Sequence, residues 1–440
     1  MINLSNTLTG KKEKIDTDEV TFYACGITPY DYAHVGHGRC YVLFDVLYRF
    51  LKFQNKKVTY CRNFTDIDDK LLAKAEQELG DKFRYKELAD KFIDAYLQDM
   101  ESLNCLFPDH QPRVTEVIDE IIEFIKELIE KGNAYQVDGD VYFSVKSFDT
   151  YGQLSKRNVD DLKVGARVKI NEKKKDPLDF ALWKGEPEGE FWKSPWGYGR
   201  PGWHIECSVM ATKFLGSTID IHSGGMDLIF PHHENERAQS EALSGKTFSK
   251  NWMHVAFVRI DEQKMSKSLG NFFTLREVFD KFDPMVVRFY ILKHHYRTPL
   301  DFSYQELESA EKAYRKLCKG FINKKCAANL SVECSVENPV LCKMIEFLQD
   351  DLNAVGAIGV VFENLDTLGD QLCTVKSFIQ NVLGLTLEQI PEKIVLITPE
   401  IQILIDARQN ARVQKDWGQA DKLRDQLVEL GVDVQDKKTK

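Results

Sequence analysis

Val20-Thr21-Phe22-Tyr23-Ala24-Cys25-Gly26 leads into Ile27-Thr28-Pro29-Tyr30-Asp31 and then His34-Val35-Gly36-His37, and this run decides the fold. Residues 20–26 are apolar, β-branched and aromatic over a short span, as a buried strand requires. Gly26, Pro29 and Asp31 mark a turn. From Gly36 to Phe53 apolar residues recur at helical spacing, through Tyr41, Phe44, Leu47, Tyr48 and Leu51. Lys57 to Cys61 reads as a second strand. Strand, helix, strand predicts a parallel, doubly wound α/β sheet. Ligands of such sheets sit outside the carboxyl ends of the strands. Here that is the loop from Cys25 to His37.

Working outward, helices are expected over 86–103 and 116–131. The second carries Val117, Ile121, Ile125 and Leu128 on one face, with Gly132 as its C-terminal cap. Residues 135–200 are rich in Gly, Lys, Asp, Trp and Pro, with a short strand near 141–145, and read as an insertion. The sheet is expected to resume with 201–216 and 219–244. From Ser303 the pattern is helical, opened by a capping box of Ser303 and Glu306. A final helix is expected over 405–430, ending at Gly431. Linkers are expected at 329–339 and 388–393.

A chain of 440 residues suggests about three domains. With 43% apolar and 29% charged residues it can bury several cores, which excludes disorder and a small disulfide scaffold. Against 59 Lys and Arg stand 68 Asp and Glu, a formal charge of −9. Any nucleic-acid site must therefore be a local basic surface on an acidic body, which argues against non-specific DNA packaging. No stretch approaches the roughly 18–20 uninterrupted apolar residues of a membrane span. The expected location is the cytoplasm, and the ten cysteines are expected to be reduced thiols, most of them buried and structural.

Three groups of residues carry chemistry. His34 and His37 stand where the first strand hands over to a helix, whose N-terminus favours phosphate. Gly36 lets a ligand approach the backbone, and the imidazoles can donate to phosphate in a transition state. Two histidines in a surface loop fit the same spacing. Lys264-Met265-Ser266-Lys267-Ser268 offers two lysines in a segment able to close over a triphosphate. A solvated basic loop reads the same way. Finally, His232 and Glu236 are four apart, and with Cys25 and Cys207 they make a set of zinc-ligand type. With no Cys-x-x-Cys pair, residue chemistry by itself favours buried thiols beside a surface acidic-histidine cluster.

Taken together, these segments resemble a class I aminoacyl-tRNA synthetase, and specifically the cysteinyl-tRNA synthetase family. His34–His37 resembles the HIGH sequence, with valine for isoleucine, and Lys264–Ser268 matches KMSKS at every position. The cysteine-specific resemblance rests on Asn63–Lys70, Asp176–Lys184, Gly199–Ser208 and Asp220–Glu236. It runs from about residue 20 to about 305 and resumes at 406–431. The loop Gly26-Ile27-Thr28-Pro29-Tyr30-Asp31 departs from the usual Gly-Pro-Thr-Val-Tyr-Asp.

The resemblance implies a Rossmann-type catalytic domain with halves at 1–115 and 201–250, split by a connective insertion at 116–200. It also implies a stem-contact segment at 251–305, a helical bundle at 306–390 and a short anticodon-binding domain at 391–440. The implied reaction joins L-cysteine to the terminal adenosine of cysteine tRNA through an adenylate, with ATP and Mg²⁺, in a monomer. His34, Gly36, His37 and Lys267 would bind ATP, with His34, His37, Lys264 and Lys267 catalytic. Thr65 and Trp203 would meet the substrate cysteine. Cys25, Cys207, His232 and Glu236 would hold one Zn²⁺ that selects the substrate thiolate. A cysteine ligase acting on an amino sugar is the rival within the superfamily. It would not need the tRNA-binding segment at 406–431. A non-catalytic RNA-binding protein and a structural zinc protein are rivals from outside it. Residues 434–440 carry no aromatic to stack on an anticodon base. Trp417 is a candidate for that role, although helical aromatics mostly serve cores, and it is expected to pack against a neighbouring helix. Arg408, Arg412 and Lys415 share a helix and either face phosphate or form a solvated surface.

Overall fold

Four parallel strands carry the site: β1 (Glu19–Ile27), β2 (Lys57–Phe64), β3 (Ile219–Gly225) and β4 (Ser249–Val255), in the spatial order β4-β3-β1-β2. The computed structural model describes residues 1–158, 173–260, 263–264, 272–322, 326, 337–391 and 398–429, with the backbone alone at 263, 264, 428 and 429. β1 and β3 lie inside the sheet and are almost wholly buried, which is why they read as continuous apolar runs. Helix α1 (Val35–Phe53) crosses from β1 to β2 and is apolar nearly all round because it is nearly all buried. Between the two pairs of strands lies a five-stranded antiparallel sheet, formed by Ala134–Val137, Asp140–Phe143, Phe180–Gly185, Trp192–Ser194 and Gly197–Pro201. Helix α2 (Trp203–Leu215) then leads into β3, and helix α3 (Glu234–Ser244) into β4.

The buried guanidinium of Arg39, on α1, donates to the carbonyls of Phe257 (2.8 Å), His295 (3.2 Å) and Thr298. It ties the first crossover helix to the chain beyond β4. Asp45, also on α1 and buried, pairs with buried Arg288 at 2.5 Å.

Several expectations need correction. β2 runs on to Phe64, three residues beyond the expected strand, and this brings Asn63 and Thr65 up to the site. Ser303 caps its helix by accepting from the Glu306 N–H at 3.1 Å, a one-sided cap. The single terminal helix is two, Pro399–Val413 and Trp417–Glu429. Lys415 between them has φ 62°, and the Asp416 carboxylate accepts from the Gln419 N–H at 3.1 Å to start the second. Trp417 is 59% exposed, so it does not pack into a core. Arg408 is buried while Lys415 is exposed, so the three cations do not share one solvated face. Cysteines 326 and 373 form a disulfide, and Cys342 is disulfide-bonded too, against the expectation of reduced thiols. The separation of 47 residues between Cys326 and Cys373 gave no spacing signal. The chain divides into two compact units, Met1–Glu388 and Gln389–Lys440. Among the described residues no helix is long and apolar enough to cross a membrane. The expected linker at 329–339 lies mostly outside the described residues.

Candidate active site and metal centre

A cleft of about 340 Å³ opens at the carboxyl ends of β1 and β3, where a doubly wound sheet binds ligands. Its floor is a cluster of soft and hard donors. Cys25 comes from the end of β1, Cys207 from α2, His232 from the segment Ile229–His233, and Glu236 from α3. The Cys25 and Cys207 sulfurs are 3.9 Å apart. Glu236 Oε1 lies 3.5 Å from Cys25 Sγ and 3.0 Å from His232 Nε2. One donor atom from each residue falls within 4.8 Å of all the others. Cys25 and Glu236 are 211 residues apart in sequence, so only the closed sheet assembles them.

A second set shares two of these donors: Cys25, His222, His233 and Glu236. His222 and His233 were not foreseen from the sequence. His233 Nε2 lies 3.3 Å from Cys25 Sγ, and His222 Nε2 lies 2.8 Å from Glu236 Oε2. The cleft is lined by three of the first set, Cys25, Cys207 and His232, but of the second set by Cys25 alone. The first set therefore opens toward a ligand and the second lies behind it. His232 Nδ1 meets His204 Nδ1 at 3.0 Å, which orients the ring and turns Nε2 to the cluster.

Burial pushes the Cys25 thiol and the Glu236 carboxyl well up, and the His232 imidazole well down. Each shift disfavours a charge in a dry site. A bound divalent cation supplies the charge that reverses this preference for the thiol and carboxyl, while the neutral imidazole is already in its ligand form. Two sulfurs, one imidazole and one carboxylate fit an ion of zinc type.

Around the cluster the polypeptide is tightly threaded. Asn63 Oδ1 accepts from Tyr23 Oη (3.0 Å) and the Gly26 N–H (2.9 Å), and its Nδ2 donates to Thr65 Oγ1 at 3.3 Å. A Cβ on Gly26 would stand 1.5 Å from the Asn63 carbonyl oxygen, so the turn after Cys25 requires glycine there. Thr65 is buried and lines the cleft. Trp203 opens α2, is 39% exposed, and lines the cleft too. Asp227, also unforeseen, is the only carboxylate among the described lining residues.

At the other end of the cleft His34 caps α1. Its Nδ1 accepts from the His37 N–H at 3.2 Å, and His37 Nδ1 accepts from the His34 N–H at 3.3 Å. The rings stack with centroids 3.6 Å apart. The Val35 N–H donates to the Phe273 carbonyl at 3.2 Å. Of the first-turn donors, the Gly36 N–H therefore faces the cleft without a hydrogen bond among the described residues. Each ring's Nδ1 is committed to the cap, so Nε2 is the atom through which it can meet a phosphate. Lys264 falls in the short strand Gln263–Lys264, which pairs antiparallel with Val258–Ile260. Lys267 lies outside the described residues.

Solved structures show where this architecture recurs. The chain matches methionyl-tRNA synthetase of Mycobacterium tuberculosis, bound to methionyl-adenylate, at a TM-score of 0.59 and 14% identity, covering 84% of this chain and 92% of that one. It matches the LeuRS in a ternary complex from Agrobacterium radiobacter K84 at a TM-score of 0.59 and 10% identity, covering 84% of each. The family model for the tRNA synthetases class I (C) catalytic domain matches residues 11–312, which makes the chain a class I tRNA synthetase. A second model, the cysteinyl-tRNA ligase anticodon binding domain, matches 396–440. Proteins named cysteine–tRNA ligase from Anoxybacillus flavithermus and Geobacillus thermodenitrificans are 45% and 46% identical to it, each over 99% of this chain and 97% of their own length. The chain belongs to the cysteinyl-tRNA ligase family.

Proposed function

We propose that the chain activates L-cysteine with ATP and transfers it to the 3′-terminal adenosine of cysteine tRNA. Family membership supports the reaction. The single structural observation that carries the choice of amino acid is the buried cluster of two sulfurs, one imidazole and one carboxylate at the floor of the cleft.

In the first step the cysteine carboxylate attacks the α-phosphorus of ATP and pyrophosphate leaves. His34 and His37 donate through Nε2 to the phosphate oxygens as charge builds, and the Gly36 N–H adds a donor from the helix end. Lys267 stabilises the reacting phosphates and Lys264 assists, with Mg²⁺ accompanying the ATP. In the second step the 2′-hydroxyl of the terminal adenosine attacks the activated carbonyl and AMP leaves. Most of the rate comes from holding these groups in place.

Cysteine and serine have nearly the same shape, and a pocket of fixed shape discriminates poorly between near-isosteres. Cys25, Cys207, His232 and Glu236 would hold a zinc ion, which would supply a soft acceptor for a thiolate that a protonated hydroxyl does not match. Trp203 covers the bound side chain, Thr65 lines its pocket, and Asp227 offers a carboxylate to the α-ammonium. We divide the chain as the resemblance implies: 1–115 and 201–250 as catalytic halves, 116–200 as insertion, 251–305 as stem contact, 306–390 as bundle and 391–440 as anticodon-binding domain. The anticodon-binding match is the reason to favour tRNA over an amino sugar as acceptor.

The test is cysteine-dependent ATP–pyrophosphate exchange with serine as control, followed by acylation of a cysteine tRNA transcript. Exchange with cysteine alone, followed by acylation, is expected. Exchange without acylation would move the acceptor to an amino sugar, and no exchange from folded, zinc-loaded protein would overturn the reading.

A further inference from the structure

Lys70 stands on the rim of the cleft, in the first turn of the helix Asp69–Leu79. The Asp68 side chain caps that helix by accepting from the Lys70 N–H at 2.8 Å, which fixes the backbone there. The side chain is exposed, with its ammonium 5.5 Å from the centre of the Tyr30 ring. Neighbouring cations are neutralised. Lys184 and Arg200 both meet Asp69, Lys74 meets Asp31 and Glu78, and Lys82 meets Glu190. Lys70 has no such ion pair among the described residues. It is also the one Lys or Arg among the described residues that line the cleft.

A cation at the lip of the cleft with no ion pair among the described residues draws an anion. The candidates are the cysteine carboxylate, the ATP phosphates and the nucleic acid. The thiol of bound cysteine belongs at the buried floor. Its carboxylate is only a few bonds away and must meet the ATP α-phosphate, so it lies inside the cleft and not at the rim. The ATP phosphates belong with His34 and His37, at the start of α1. What crosses the rim in the second step is the single-stranded 3′ end of the tRNA, with a phosphodiester before each nucleotide. Phosphate contacts of this kind position a strand without reading its sequence.

We propose that Lys70 holds a phosphodiester of the tRNA 3′ strand as the terminal adenosine enters the cleft. It is a positioning residue for the second step. The inference rests on the ligase reading.

The test compares the parent with Lys70→Met and Lys70→Arg in two assays on the same preparations. These are cysteine-dependent pyrophosphate exchange, and tRNA acylation across a salt series. For Lys70→Met, exchange is expected within about twofold of the parent, and kcat/KM for tRNA is expected to fall about tenfold. The slope of log kcat/KM against log salt should become shallower by about 0.7, the value for one phosphate contact on a single strand. Lys70→Arg should recover most of the loss. A fall in exchange that matches the fall in acylation would assign Lys70 to cysteine or ATP and overturn the proposal. Unchanged acylation and salt slope in Lys70→Met would overturn it too. A parent without exchange would instead remove the ligase reading, and this proposal with it.

Discussion

The indole of Trp203 lies on the imidazole of His232, with ring centroids 4.3 Å apart and planes 27° from parallel. One of these rings is a donor in the floor cluster and the other is a partly exposed wall of the cleft. The stack therefore couples the orientation of a metal ligand to the shape of the space beside it.

Removing the indole should open that space. Trp203→Ala is expected to raise the KM for cysteine about tenfold in pyrophosphate exchange, equivalent to about 1.4 kcal/mol of lost contact. The KM for ATP should change little. Trp203→Phe should keep most of the affinity, because a smaller ring still stacks.

Cys207→Ser removes one of the two sulfurs without changing the fold of α2. It is expected to lower bound zinc, read by elemental analysis, and to raise the KM for cysteine. Complete zinc loss with an unchanged cysteine KM would sink the proposal that the metal selects the thiolate.

Asp351 gives the protein an acid limit. Burial pushes its carboxyl upward, but hydrogen bonds from Tyr296, Ser5 and Arg297 outweigh this and leave it below the ordinary value of 3.8. Ser5 donates through both its N–H (2.8 Å) and its hydroxyl (2.7 Å), so the carboxylate fastens the strand Ile2–Asn6 to the segment before the helix Ala354–Asn364. A lowered folded-state value stabilises above the unfolded value and loses that contribution as pH falls through the folded one. Stability is thus expected to be full above about pH 4–5 and to decline below it. Asp351→Asn suits the φ of 62° and isolates the charge. It should cost about 2–4 kcal/mol in urea unfolding at neutral pH and flatten the decline.

Trp417 is exposed at the start of the helix Trp417–Glu429, which leaves its indole outside any core. Trp417→Ala is expected to lower kcat/KM for tRNA about tenfold, as loss of one base stack worth about 1–3 kcal/mol would. Pyrophosphate exchange and Tm should hold. A fall in Tm of several degrees would return the indole to a packing role.

The β1-α1-β2 unit was legible because its signals are local: a short apolar run, Gly26 and Pro29 in the turn, and a helical period beginning at the histidines. The floor cluster was not legible from spacing. Its members come from four separate elements, and resemblance, not periodicity, selected them. His222 and His233 escaped because each looks like a core histidine until the sheet sets it beside Glu236 and Cys25. Asn63 escaped because its role is to hold a backbone turn in place. The break at Lys415 carries no Gly or Pro, and Asp416, a capping residue type, was the local mark of it. The Cys326–Cys373 pair joins segments whose approach only the bundle creates.

Arg39 sits one turn into the helix that begins at the paired histidines, and it grips carbonyls at Phe257, His295 and Thr298. The chain that follows Phe257 leads directly into the lysine loop. One guanidinium thereby ties the start of α1 to the chain around Phe257 and to the segment from His295 to Thr298. The floor cluster sits on β1, α2, the segment Ile229–His233 and α3. The Tyr41 hydroxyl, on the same helix, donates to the Cys25 carbonyl at 3.2 Å, so α1 braces the cluster as well. A change of donor at Cys25 would therefore be felt along the helix that begins at the paired histidines.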